Sequence, residues 1–142
     1  MKGFLLDTNV VSELRKGARA DAGLVAWFGA RTRRELFLSA VTLAELRRGI
    51  ALISTRDPAQ ANILRHWCDR LQRAYGSTGR LLPLRAAEAS AWGELMALRP
   101  VPIMDGFLAA TAQVHDLTLV TRNVDDFADL PIRIENPFSA NG

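Results

Sequence analysis

The chain has 142 residues, 18 of them Lys or Arg and 15 Asp or Glu, for a net charge of +3. That length suits one domain over residues 1–142 and leaves little room for a second. No apolar run reaches the ~20 residues of a membrane span, the apolar stretch before Asp7 is too short for a signal peptide, and a lone cysteine, Cys68, excludes an internal disulfide, so the expected location is the cytoplasm.

In chain order, residues 3–6 (GFLL) form a short apolar run ending at Asp7 and are predicted as a buried strand. A helix is predicted from Thr8 to Lys16, with Val10, Val11 and Leu14 apolar and Gly17 just past its end. A second helix over residues 20–30 carries Leu24, Trp27 and Phe28, and residues 36–39 form a second strand. Residues 41–54 are predicted helical, with Leu43, Leu46, Ile50 and Ile53 along one seam. After Asp57-Pro58 a longer helix places Ile63, Leu64, Trp67, Leu71 and Ala74 on one face and exits at Gly76 and Gly79. Residues 81–84 are extended, and 85–98 are helical with Ala89, Trp92, Leu95 and Met96 inward. Pro100 and Pro102 interrupt the chain before an alanine-rich helix from Asp105 to His115. Residues 117–121 (LTLVT) read as a strong strand, 132–134 as a last edge strand, and 135–142 as a loosely held tail.

Strands alternating with helices or helix pairs predict an α/β sandwich with a mainly parallel sheet. Ligands of such sheets gather beyond the carboxyl ends of the strands. Asp7 and the stretch Thr121-Arg122-Asn123 each follow a strand directly, so they are expected at one edge.

Several acids stand out against this frame. Asp7 suits a helix N-cap, but the trio Asp7-Thr8-Asn9 holds more polar groups than one cap needs. Glu45 lies beside the apolar seam of its helix, where it either binds a ligand or offsets Arg47 and Arg48. Asp105 shares a helical face with Leu108, Ala109 and Ala112, and a carboxylate there must be hydrogen-bonded, paired or metal-bound. Asp125 and Asp126 follow the 117–121 strand, where acids also favour a helix start. Three or four carboxylates meeting at one edge repel one another, and a divalent cation that prefers oxygen ligands removes that penalty. Such a site activates water and stabilises the leaving oxygen of a phosphodiester.

Sixteen of the 18 basic residues are arginine, whose planar fork suits phosphate. A high-GC genome produces the same bias, so it supports a polyanionic partner without establishing one. Arg47, Arg48 and Arg122 are the candidate contacts to phosphate, with Arg31, Arg33 and Arg34 as another track. Arg122 alternatively pairs with Asp125 or Asp126. Cys68 reads as a small buried hydrophobe, and His66 and His115 as ordinary helix residues. Trp27, Phe28, Ile50 and Ile53 either pack in the core or leave an apolar surface for a protein partner.

Four segments in order carry a resemblance: LLDTNVVSEL (residues 5–14), LSAVTLAELRRG (38–49), PIMDGFLAATA (102–112) and LVTRNVDDF (119–127). Together they resemble the PIN-domain family, and within it the VapC/FitB-type toxins of bacterial toxin–antitoxin pairs. The resemblance implies a three-layer α/β/α sandwich, Mg2+ or Mn2+, and hydrolysis of RNA. It also implies a homodimer and a VapB/FitA-like antitoxin that blocks the site, in a complex that extends to DNA. Asp7 and Asp105 match the family's metal-holding acids, and Glu45 matches the acid of the motif ending AELRRG. Many members carry Asp where this chain has Asn123; Asp126 is then the fourth acid and Asn123 a polar support, and one metal is a safer expectation than two. Thr8, Asn9 and Thr121 are the other expected supporting groups.

Rival chemistries lack their residues. A haloacid-dehalogenase phosphatase wants an acid two residues after its nucleophile, and Asn9 stands there. A receiver domain wants a late lysine, and none follows Lys16. No glycine-rich turn follows Asp7, and G-x-S-x-G is absent. The remaining alternative is a catalytically inactive PIN-like module that binds protein or RNA. It would lose one or more core acids, and all three are present.

Overall fold

The structure is a computed structural model and describes residues 3–139. Its strands are β1 (Phe4–Leu6), β2 (Leu36–Ser39), β3 (Leu81–Leu82), β4 (Thr118–Val120) and β5 (Ile134–Glu135). Its helices are α1 (Thr8–Leu14), α2 (Ala22–Gly29), α3 (Ala40–Ser54), α4 (Pro58–Gly76), α5 (Ala86–Leu98) and α6 (Ile103–Val114). The sheet order is β3-β2-β1-β4-β5, and every pairing is parallel. The last strand falls slightly later than residues 132–134, and α1 ends before Lys16. Among the described residues, no single helix is long and apolar enough to cross a membrane.

Alternation along the strands divides the core into two layers. Leu5, Phe37 and Leu119 pack with α5 and α6, around Leu95, Leu108, Ala109 and Phe127. Leu6, Leu36, Leu38 and Val120 pack on the other face with Val10, Leu24, Leu46, Leu64 and Cys68 of α1–α4. β2 and β3 lie on one side of β1 and β4 and β5 on the other, so the strand order reverses between β1 and β4. That is where a parallel sheet opens a crevice.

Short side chains let α6 approach α5 closely. A Cβ on Gly106 would stand 2.8 Å from both Met96 Cε and Trp92 Nε1. Trp92 also stacks on Phe107, with ring centroids 5.1 Å apart. This contact fixes the start of α6, and Asp105 with it.

Some expected faces are shifted. Ile63 and Ala74 are exposed on α4, whose buried line runs through Ala61, Leu64 and Cys68. Ala89 is exposed on α5, where Glu88, Ala91 and Leu95 face inward. An apolar face that begins with a carboxylate hides its phase in a sequence pattern. Trp27 and Ile50 belong to the core, so for them packing replaces an open partner surface; Phe28 remains 38% exposed.

Glu88, only 2% exposed, closes the far end of the α5–α6 pair. It accepts the Arg85 backbone N–H at 2.8 Å and lies 2.8 Å from Nε2 of His115. His115 is thus the C-cap of α6 with a carboxylate partner, beyond the helix body. Burial alone would raise the Glu88 carboxyl; hydrogen bonds from the Arg85 and Glu88 backbone and from His115 outweigh it and hold the carboxyl below its usual 4.5. Its stabilising contribution is therefore complete above the ordinary carboxylate range and lost as pH falls through the lowered folded value. Glu88→Ala is expected to cost about 2 kcal/mol by urea unfolding at pH 7; a loss below ~0.5 kcal/mol would remove the clamp from the account of stability.

The expected loose tail is corrected for residues 135–139; residues 140–142 lie outside the described part. Glu135 pairs in β5 and accepts Trp27 Nε1–H at 2.6 Å. Ser139 donates to Asp21 through its backbone N (2.9 Å) and its hydroxyl (2.5 Å). Asp21 also caps α2 by accepting from Leu24 N at 3.0 Å. The Ser139 hydroxyl and backbone bonds lead the causes that lower the Asp21 carboxyl to about 2.

Candidate active site

β1 runs into Asp7, whose backbone N–H continues the ladder to Val120 O at 2.9 Å. The same residue is the N-cap of α1, so its carboxylate is fixed between a strand end and a helix start. Oδ1 accepts from Thr8 N at 2.7 Å. Oδ2 accepts from the Thr121 hydroxyl at 2.8 Å and from Asn9 Nδ2 at 3.2 Å. The cap and the polar cluster are thus one arrangement. Burial raises the Asp7 carboxyl above its usual 3.8; the bonds from Thr121, Thr8 and Asn9 oppose the rise, and Glu45 adds to it.

Thr121 is fully buried and relays order onward, since its Oγ1 accepts from Asn123 N at 3.0 Å. Asn9 Oδ1 accepts from Arg122 N at 3.3 Å. On the other flank, Thr8 Oγ1 donates to Glu45 Oε1 at 2.5 Å and lies 3.3 Å from Thr42 Oγ1. Glu45 is thereby held one step from Asp7. A cavity of about 220 Å3 opens beside it, lined among others by Thr8, Ser12, Arg15 and Gly49.

Asp105 stands in the first turn of α6 and makes no side-chain hydrogen bond among the described residues. Its carboxyl is pushed up to about 6, first by burial and then by the charges of Asp7, Asp126 and Glu45. Four acids from four parts of the chain thus share one field. Asp126 lies in the 3-10 turn Val124–Phe127, anchored by the buried Phe127. Arg99 Nη1 donates to the Asp126 carbonyl at 3.1 Å.

The expected arginines divide. Arg47 Nη2 donates to Asp69 Oδ1 and Gln72 Oε1, both at 2.8 Å, and ties α3 to α4. The arginine offered as an RNA contact is thus engaged within the protein, where the facing helix supplies a carboxylate for it. Arg48 is exposed, with no partner among the described residues. Arg122 pairs with neither Asp125 nor Asp126; its guanidinium lies 4.0 Å over the Phe138 ring. Arg31 is folded over Phe4 and Trp27.

Sequence reasoning missed Thr42 and Arg99. Thr42 is fully buried three residues before Glu45, and a threonine on the same helical face as that acid was the available signal. Nothing local pointed to Arg99, which acts on backbone carbonyls 26 and 27 positions away.

A PIN domain model matches residues 4–132. The chain belongs to the PIN-domain family. Among PIN-domain relatives it is 32% identical to Toxin FitB of Neisseria gonorrhoeae, over 95% of this chain and 98% of that protein. It is 34% identical to VapC ribonuclease Y4jK of Sinorhizobium fredii, over 95% and 97%. It superposes on a chain from the structure of FitAB bound to IR36 DNA fragment with a TM-score of 0.82, at 29% identity over 96% of each chain.

Among the described residues, no three His, Cys, Asp or Glu side chains already converge as a closed metal-ligand set. The chemistry of the donors nevertheless fits a hard divalent cation: carboxylate and hydroxyl oxygens, a half-buried carboxylate without a partner, and a surplus of negative charge.

Proposed function

We propose that this PIN-domain protein is a metal-dependent endoribonuclease toxin of a toxin–antitoxin pair. The observation that carries the reading is the gathering of Asp7, Glu45, Asp105 and Asp126 at the β1–β4 crevice, where burial first and then the charges of the other three push Asp105 to about 6. Asp7 and Asp105 hold Mg2+ or Mn2+ in this reading, and Glu45 and Asp126 complete the acidic wall. When bound, the cation supplies acidified water and offsets charge developing on the phosphodiester. Thr8 orients Glu45, Thr121 and Asn9 orient Asp7, and Asn123 supports Thr121 through its backbone. Arg122, and Arg48 at the outer edge of α3, are the arginines left available to phosphate.

The similarity to Toxin FitB supports a toxin, and that to VapC ribonuclease Y4jK supports an RNA substrate. The resemblance to the FitAB complex supports a VapB/FitA-like antitoxin as partner and DNA as a ligand of the joint complex. A homodimer and a cytoplasmic location belong to the same reading. The test is cleavage of single-stranded and structured RNA by the purified protein with Mg2+ or Mn2+. Internal cleavage that chelator abolishes is expected. RNA binding without cleavage in either metal would favour the inactive binding module.

A further inference from the structure

The Arg122 backbone borders the acidic crevice, and its side chain meets the Glu135–Ser139 segment. Arg122 follows Thr121, whose hydroxyl binds Asp7, and its own N–H binds Asn9. Its side chain is exposed, yet held with the guanidinium carbon 4.0 Å over the Phe138 ring. The one acid that Arg122 influences, Glu13, already bonds Lys16 Nζ and Asp21 N, both at 2.9 Å. No hydrogen bond engages the Arg122 guanidinium among the described residues. A guanidinium lying face-on over a ring keeps its in-plane N–H donors free, which is the geometry that grips phosphate.

Phe138 is itself held in place. It packs on the α1–α4 core layer. The next residue is clasped by Asp21 through two bonds. The strap crosses α2 at Gly23, where a Cβ would fall 2.6 Å from Ser139 N and 2.7 Å from Pro137 O. Only glycine admits the strap at that distance.

We propose that the strap positions Arg122: Phe138 holds its guanidinium, one residue beyond Thr121, to bind a phosphate of the RNA flanking the cleaved bond. Phe138 is a positioning residue, acting only through Arg122. Holding the arginine in advance removes part of the side-chain entropy lost on binding. The inference rests on the nuclease reading above and adds the tail as the element that sets RNA affinity.

The test measures binding of a mixed-sequence single-stranded RNA in chelator, across a salt series, with cleavage in Mg2+ as a separate arm. Arg122→Gln should weaken binding and flatten the salt slope by about 0.7. Phe138→Leu keeps the apolar volume and loses the ring face; it should weaken binding about threefold, and Phe138→Trp should restore it. In an Arg122→Gln background Phe138→Leu should have no further effect, since both changes remove one interaction. Gly23→Ala, which displaces the strap from a distance, should reproduce the Phe138→Leu loss. If the protein cleaves RNA but Phe138→Leu binds as wild type, or loses the same amount with and without Arg122, the strap has no such role and the nuclease reading stands. If the wild type neither binds nor cleaves RNA, the nuclease reading falls, and this inference with it.

Discussion

Asp7→Asn is expected to lower RNA cleavage by at least about a hundredfold while leaving the protein folded. Two properties of the site separate these outcomes. The substitution keeps the size of the side chain and one acceptor oxygen, which continues to cap α1 through Thr8 N. The other oxygen becomes an amide nitrogen facing the Thr121 hydroxyl and Asn9. Thr121 can rotate to accept from it, while Asn9, whose Oδ1 accepts from Arg122 N, loses its bond to this position, so most of the local network is kept. What does not re-form is the negative charge. Burial already works against that charge in the metal-free protein, so Asp7→Asn should melt no lower than wild type in chelator at pH 7.5. Cleavage rates in Mg2+ beside melting curves in chelator check both halves. Full activity in a folded Asp7→Asn protein would remove Asp7 from the chemistry.

Asp105→Asn tests the crowding of acids through pH. The Asp105 carboxyl, pushed to about 6 from the usual 3.8, holds its proton more tightly in the folded protein than in the unfolded chain. Stability therefore falls as pH rises from about 4 to about 6, and the cost is fully present above that window. The amide carries no such cost. In chelator at pH 7.5 Asp105→Asn should melt about 3 °C above wild type, a figure kept small because solvent screens a half-exposed group. Near pH 4 the two should converge. Mg2+ should raise the melting temperature of wild type and leave Asp105→Asn nearly unmoved. A variant that melts lower than wild type at pH 7.5 would show that Asp105 stabilises the start of α6, with no repulsion to relieve.

Much of the frame was legible because apolar runs that end abruptly at a polar residue leave few alternatives. Leu36–Ser39 was found with its limits, since Ser39 both ends β2 and caps α3 by accepting from Val41 N at 3.0 Å. The edge shared by Asp7 and Thr121 followed from the strand-end rule alone, and the structure makes them partners. Illegible features were of two kinds. Some depend on which face of a helix meets which neighbour: Arg47 lies close in sequence to Glu45 yet bonds Asp69, because α4 packs alongside α3. Others join residues that each have a sufficient local reading. Glu88 passes for a helix-start acid and His115 for an ordinary helix residue until the packing of α5 against α6 brings them together. The tail, rich in small and polar residues, looks unheld until Asp21 clasps it across 118 positions.

The bond from Thr121 to Asp7 spans 114 positions. At the usual pace of protein synthesis, roughly 5–20 residues per second, Asp7 waits about 6–23 seconds for that partner to be made. Asp105 also arrives late. A nascent chain therefore carries its first acid long before it can close a crevice around it. The ribosome making the protein is separated in time from any RNA-cutting centre. The same delay gives an inhibitor already present an interval in which to meet the chain before it is complete.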